Sequence, residues 1–356
     1  MSEHTEKKKT KRKNPLLPVT IALGITTIIS IGLCIFIILS NREKPETHVF
    51  SEDPSQAINA YTEAEIDALL SSAKENGSIE KDQALKGFIK SYAMQQGANL
   101  AELLRRMYPE YVVYLSSSGY KFVPINQNYA LNGVPSDTLM LDADGVFTQK
   151  IGDSVVSKMG IDVSEYQGKI DWEQVKEAGV DFAFIRAGYR GYVTGKLVED
   201  AEYINNVKGA LENDIEVGVY YFSQAVTEEE IEEEVDTMLV AIAEYDVTGP
   251  IVIDIEKVDS NNSRGNDLSQ EDRTRLTLHF CDYVREKGYE PMIYGNTYSL
   301  FEMLNVDEIH DERIWYAFYD TYLYYPYKLD IWQYSAKMSI PGIDGDVDID
   351  IMFNQN

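Results

Sequence analysis

Residues Gly249 to Asp259 read GPIVIDIEKVD. Ile251, Val252, Ile253 and Ile255 are what a buried strand requires, yet Asp254 and Glu256 sit in the same run. In a strand, residues i and i+2 share a face, with Cα atoms roughly 6.5–7 Å apart. Burying one unpaired carboxylate costs several kcal/mol, and a second beside it raises at least one pKa. Either partners neutralise this pair or the pair does chemistry.

Working outward, the chain from Lys158 to its end alternates strand and helix signals, the pattern of a parallel α/β domain. The strands are expected at GIDV (160–163), FAFIRA (182–187), EVGVYYF (216–222), IVIDI (251–255), PMIY (291–294), IWYAF (314–318), LDIWQY (329–334) and VDIDIMF (347–353). Helices are expected over Trp172–Glu177, Ala201–Asn213, Glu228–Tyr245 and Arg273–Lys287. Eight strands with fewer, partly reduced helices fit a closed TIM-like β/α barrel better than an open sheet. A doubly wound sheet would carry a Gly-rich phosphate loop, and the sequence has none. The acidic run TEEEIEEEVDTMLVAIAEY places Ile231, Val235, Met238, Leu239 and Ile242 on one helix face. Its Glu residues crowd a helix N-terminus, where the dipole favours them, so a solvated face is expected there.

In such barrels the active site gathers at the C-terminal strand ends. Those ends carry Asp162, Arg186, the run Tyr220-Tyr221-Phe222, Asp254 with Glu256, Tyr294 with Asn296, Trp315 with Tyr319, Trp332 with Gln333, and Asp348. Four carboxylates ringed by aromatics suit glycosidic bond cleavage, which uses paired carboxyl groups. Tyr221, Tyr294, Trp315, Tyr319 and Trp332 are candidates for sugar-binding walls, although core packing accounts for any single one equally well. Asn296 and Gln333 are candidate polar contacts to substrate. Arg186 reads more readily as a buried neutraliser of the acids than as a catalyst. The histidines His4, His48, His279 and His310 are scattered, which disfavours a Ser-His-Asp triad or a His-rich metal site. Cys34 and Cys281 are too few and too far apart for a zinc site, and no cofactor is expected.

The segments GIDVSEYQGKIDWEQVK, FAFIRAGYRG, VGVYYFSQA, PIVIDIE, MIYGN, IWYAFY, IWQYS and GDVDIDIMF form one collinear series over residues 159–356. Together they resemble the glycoside hydrolase family 25 muramidases, the Chalaropsis-type lysozymes. The resemblance implies an irregular β/α barrel and cleavage of the β-1,4 bond between N-acetylmuramic acid and N-acetylglucosamine in peptidoglycan. It assigns catalytic positions to Asp162, Asp254, Glu256 and Asp348. Two positions depart from the family pattern. Ile255 stands in a D-x-E pair whose middle residue is usually aromatic, and Asp350 replaces the Asn of V-D-x-N. On physical grounds Glu256 is the expected general acid. Asp254 would be ionised, stabilising an oxocarbenium-like state or orienting the substrate's N-acetyl group. Asp162 and Asp348 would hold substrate or water. A non-catalytic wall-glycan-binding or scaffold protein on the same fold is the alternative, since a fold does not prove activity. A divalent-metal hydrolase built on the same carboxylates is a third reading.

Upstream the composition changes. The net charge of −27 hides an asymmetry: residues 1–14 carry six Lys/Arg against two Glu, leaving −31 for the rest. A body that acidic gives no support to nucleic-acid binding, which needs basic surface, and disfavours adhesion to anionic membranes or wall polymers. Leu16 to Leu39 is an uncharged run whose helix would be about 36 Å long, enough for a ~30 Å hydrocarbon core. It exceeds the roughly 7–15 residues of a usual signal-peptide core, and ILSNREKPE lacks a small-x-small cleavage site. Residues 1–14 are therefore expected to form a cytoplasmic tail and 15–40 a single-pass signal anchor, with the remainder outside the cell membrane. Residues 41–60 read as a linker. Residues 61–158 read as a small helical and β spacer, opened by a capping box at Thr62 and Glu65, with cell-envelope proteins as conceivable partners.

Overall fold

In the computed structural model of the chain, residues 100–354 are described. The tail, the apolar run 16–39, the linker and the helix expected from Thr62 lie outside the described residues. Among the described residues no helix is long and apolar enough to cross a membrane.

The eight expected strands form a closed barrel. They are β6 (Lys158–Val163), β7 (Phe182–Arg190), β9 (Glu216–Phe222), β10 (Ile251–Asp254), β11 (Pro291–Asn296), β12 (Ile314–Ala317), β13 (Ile331–Met338) and β14 (Val347–Met352). β8 (Leu197–Glu199) hairpins onto the end of β7. Neighbours from β6 through β13 run parallel. The last strand corrects the all-parallel expectation: β14 is antiparallel to both β13 and β6. Only residues 339–346 separate β13 from β14, and a parallel return needs a crossover of roughly a dozen residues or more. Reversal of β14 brings its first residues, rather than its last, to the mouth formed by the other strands' C-terminal ends.

Alternation along the strands sorts side chains into two apolar layers. Phe182, Phe184, Val252, Met292, Trp315 and Ile331 fill the barrel. Gly160 permits this, because a Cβ there would meet the Phe182 ring at 2.1 Å. The opposite faces, including Ile161, Val217, Val219, Ile253, Ile293 and Ile351, pack beneath the surrounding helices. These helices are α2 (Trp172–Glu177), α3 (Tyr203–Glu212), α4 (Glu228–Ile242) and α5 (Gln270–Glu286), with a short α6 (Val306–Ile309). Asp171, Thr227 and Ser269 accept backbone N–H bonds at the starts of α2, α4 and α5 and so fix where they begin. Val235, Met238, Phe280 and Val284 are fully buried against the barrel, each worth roughly 1.5–3 kcal/mol over an exposed position. α4 is not solvated throughout its acidic face. Glu234 is buried, and Arg190 Nε donates to it at 2.7 Å.

No helix follows β12; the chain passes from Ala317 to Ile331 as a loop. The segment before the barrel occupies that side. It comprises α1 (Leu100–Met107), the hairpin of β1 (Tyr111–Ser116) and β2 (Gly119–Pro124), and a three-stranded sheet of β3 (Leu139–Leu141), β4 (Phe147–Ile151) and β5 (Ser154–Val155). Val112, Tyr114 and Phe147 belong to the outer core of the barrel. The Phe147 ring lies 5.0 Å from that of Trp332, whose side chain points outward from β13. Tyr114 Oη and Ser116 Oγ donate to Glu302 at 2.6 and 2.9 Å. The described part of the expected spacer thus shares the barrel's core within one compact unit.

Candidate active site

β10 sets the geometry. Asp254 ends the strand facing inward, and Glu256, two residues on, keeps that face as the chain leaves the sheet. Asp254 stands in register with Phe222 on β9 and Tyr294 on β11. Across the barrel Asp162 on β6 is directly opposite Asp348 on the reversed β14. These four carboxyl groups open on a cleft of about 530 Å³. Arg186, Tyr220, Phe222, Tyr294, Trp315, Tyr319 and Gln333 line it, with Tyr166, Tyr189 and Tyr192 extending it outward.

Gln333 organises the floor. Its Oε1 accepts from both Tyr294 Oη and Tyr319 Oη at 2.9 Å, which leaves its amide nitrogen to donate to Asp162 Oδ2 at 2.6 Å. The shared acceptor fixes which way the amide faces. Arg186 does not bond the four carboxyl groups of the cleft. Its Nε donates to Asp200 at 2.7 Å and its Nη2 to Glu165 at 3.3 Å, while its charge still favours ionisation of Asp254.

Burial drives the electrostatics. Loss of water raises Asp162 well above the ordinary carboxylate range, and the charges of Asp348 and Asp350 add to it. Asp254 is raised by burial and then by the Glu256 charge, and its Oδ1 has no partner among the described residues. Glu256, more open to the cleft, is raised by burial and by Asp348. Asp348 is pushed up to about 6 by burial. Carboxyl groups so crowded oppose one another's ionisation, so they lose their protons as a coupled set rather than independently. Among the described residues no three His, Cys, Asp or Glu side chains are grouped to ligate a metal ion.

Nine of the twelve expected site residues line this cleft, and three do not. Tyr221 faces the outer layer of β9, buried against the helices. Trp332 is likewise outward, its Nε1 donating to Phe318 O at 2.7 Å. Asn296 turns into the next helical turn, where its Oδ1 accepts from Ser299 N at 3.0 Å. Period-two alternation explains two of these. Gln333 and Trp332 are adjacent and cannot share a face, and Tyr220 rather than Tyr221 is in phase with Phe222. The same rule would have found Tyr220 and Phe222. Tyr166, Tyr189 and Tyr192 lie at or beyond strand ends, where alternation gives no signal.

A family model for the glycosyl hydrolases of family 25 matches residues 161–343. The chain belongs to this family. The family 25 match contains Asp162, Asp254 and Glu256 and stops before Asp348. Relatives include the autolytic lysozyme of Clostridium acetobutylicum, 27% identical over 198 residues covering 54% of each chain. The uncharacterized protein YegX of Escherichia coli K12 is 26% identical over 204 residues, covering 54% of this chain and 68% of that one. Lysozyme M1 of Streptomyces globisporus is 38% identical over a shorter stretch of 65 residues, 18% of this chain and 20% of that one. Among solved structures, the modular autolysin LytC of Streptococcus pneumoniae, in complex with a synthetic peptidoglycan ligand, superposes with a TM-score of 0.50 at 22% identity. That likeness of fold covers 68% of this chain and 57% of the autolysin. The chain therefore spans little more than half the length of the autolytic lysozyme and of the autolysin.

Proposed function

We propose that the chain is a muramidase that cleaves the β-1,4 bond between N-acetylmuramic acid and N-acetylglucosamine in peptidoglycan strands. One observation carries this reading: four crowded carboxyl groups, Asp162, Asp254, Glu256 and Asp348, gathered at the mouth of an aromatic cleft. Glu256 is the general acid. Its carboxyl opens on the cleft, and burial and the Asp348 charge raise its pKa; burial and Glu256 raise Asp254 too, with Arg186 working against that rise. Glu256 gives its proton to the glycosidic oxygen as the C1–O bond breaks and the bond's electron pair passes to the leaving sugar. Asp254, in its ionised form, would face the positive charge that develops at C1. Tyr319, exposed at the cleft, supplies a face on which a sugar ring stacks, while Trp315 lies beneath it in the packed floor.

The full chain should clear a peptidoglycan gel, and Glu256→Gln should lower the rate by on the order of a hundredfold or more. A Glu256→Gln chain as active as its parent would overturn the assignment of the acid. Absence of clearing by the parent would favour glycan binding without catalysis.

The reading extends to location. Residues 16–39 would anchor the chain in the cell membrane with residues 1–14 in the cytoplasm and the barrel outside, next to the wall. Retention in washed membranes, together with digestion of the barrel by protease added to intact wall-less cells, is the expected result. Release of the chain by washing would remove the anchor.

A further inference from the structure

Tyr319 reaches the cleft from the loop between β12 and β13, the one barrel crossover without a helix to hold it. Yet its phenol is placed closely enough to share Gln333 Oε1 with Tyr294. Something outside the barrel sets that loop, and the contacts identify it. The Arg105 guanidinium lies over the Phe318 ring at 4.9 Å and the Tyr324 ring at 4.5 Å. Its Nε is itself fixed by donation to Val113 O at 3.1 Å. Val113 N donates to Tyr324 Oη at 2.7 Å. Further along, Asn132 N donates to Pro326 O and Lys328 N to Ala130 O, both at 2.9 Å, around a bridge between Leu131 and Tyr327. Residues 105–132 thus grip the loop at both ends, on either side of the exposed Tyr319. All of them precede the family match, which begins at residue 161.

We propose that residues 100–132 act as a built-in brace that holds Tyr319 in the cleft, with Arg105 as a positioning residue acting through Phe318 and Tyr324. Phe318 and Tyr319 are chain neighbours: one ring is clamped beneath Arg105 while the other stands over the carboxylates. Releasing the clamp lets the loop rotate about its barrel ends, which Phe318 N to Gln333 O, at 3.0 Å, still holds. The Tyr319 hydroxyl then leaves Gln333, and the amide that orients Asp162 loses one of its two anchors. Catalysis is sensitive to displacements of about 1 Å, so the effect falls on turnover more than on folding.

The catalytic consequence rests on the muramidase reading, and two measurements separate the two. The first is amide hydrogen exchange on the full chain. Arg105→Ala should speed exchange across residues 318–328 and leave β10 unchanged, whereas unchanged exchange in the loop would overturn the brace. The second is a double-mutant cycle on soluble peptidoglycan fragments. Arg105→Ala should lower kcat/KM about tenfold, Arg105→Lys should restore much of it, and Arg105→Ala should add nothing in a Tyr319→Phe background. Losses that multiply in the double variant would overturn action through Tyr319. A parent that turns over no substrate would defeat the muramidase reading, while hydrogen exchange would still decide the brace.

Discussion

Asp350 isolates the physics of a single residue. It stands where the family pattern carries Asn, fully buried inside the barrel. Trp315 Nε1 donates to its Oδ1 at 2.7 Å, and its Oδ2 has no partner among the described residues. Asp348 on its own strand and Asp162 on β6 face it, and Gln333 is its cross-strand neighbour on β13. Burial first, then the charge of Asp348, raises its carboxyl well above the ordinary range. A carboxyl raised in the folded chain contributes stability that is complete below its unfolded pKa and is lost as pH rises through the folded one. Asn has no such loss. Asp350→Asn should therefore be more stable than the parent at alkaline pH, with the gap closing as pH falls. Melting temperatures of both chains from about pH 4 to about pH 9 check this; parallel curves would mean that Asp350 carries its charge when folded.

At the level of elements, the segment before the barrel takes the place of a crossover helix. The outward rings of Tyr316 on β12 and Trp332 on β13 are fully buried. Phe147 of β4 covers Trp332, and the loop gripped by residues 105–132 covers Tyr316, with Tyr325 at 5.0 Å. A chain cut to residues 159–356, the span of the family resemblance, would expose Trp332 and release that loop. Uncovering a buried aromatic costs about 2–3 kcal/mol each, against a total of about 5–15 kcal/mol for a domain. The cut chain should aggregate or unfold at a markedly lower denaturant concentration than one retaining residues 100–158, and equal midpoints would refute the shared core. Nothing in the sequence marks this dependence, because Val112, Tyr114 and Phe147 lie in short strands whose partners are some 200 residues away. The barrel strands themselves were legible, since each is an apolar run between turn residues. The direction of β14 is equally legible in the shortness of the SIPGIDGD connection, too brief for a parallel return. Of the site, the acids were readable from the cost of putting Asp and Glu in a buried strand. The aromatic walls were only half readable, because choosing between Tyr220 and Tyr221 requires the phase of β9 relative to β10.

For the whole molecule the deciding quantity is charge. Residues 15–356 carry −31, and the basic residues 1–14 balance little of it. The proposed topology puts those basic residues on the far side of the membrane, so the barrel meets its substrate as an acidic body. A wall carrying anionic polymers then repels the enzyme over a range set by the Debye length, about 30 Å at 0.01 M salt and about 8 Å at 0.15 M. The catalytic step itself involves a neutral glycosidic bond inside a cleft and feels this repulsion little. Raising the salt from about 0.01 to about 0.15 M should therefore speed hydrolysis of intact anionic walls severalfold while leaving small soluble glycan fragments unaffected. The comparison of the two substrates matters, because a general salt effect on the fold would move both. If wall hydrolysis instead slowed with salt, a basic docking patch would have to guide the enzyme, and the acidic body would not be what sets its approach.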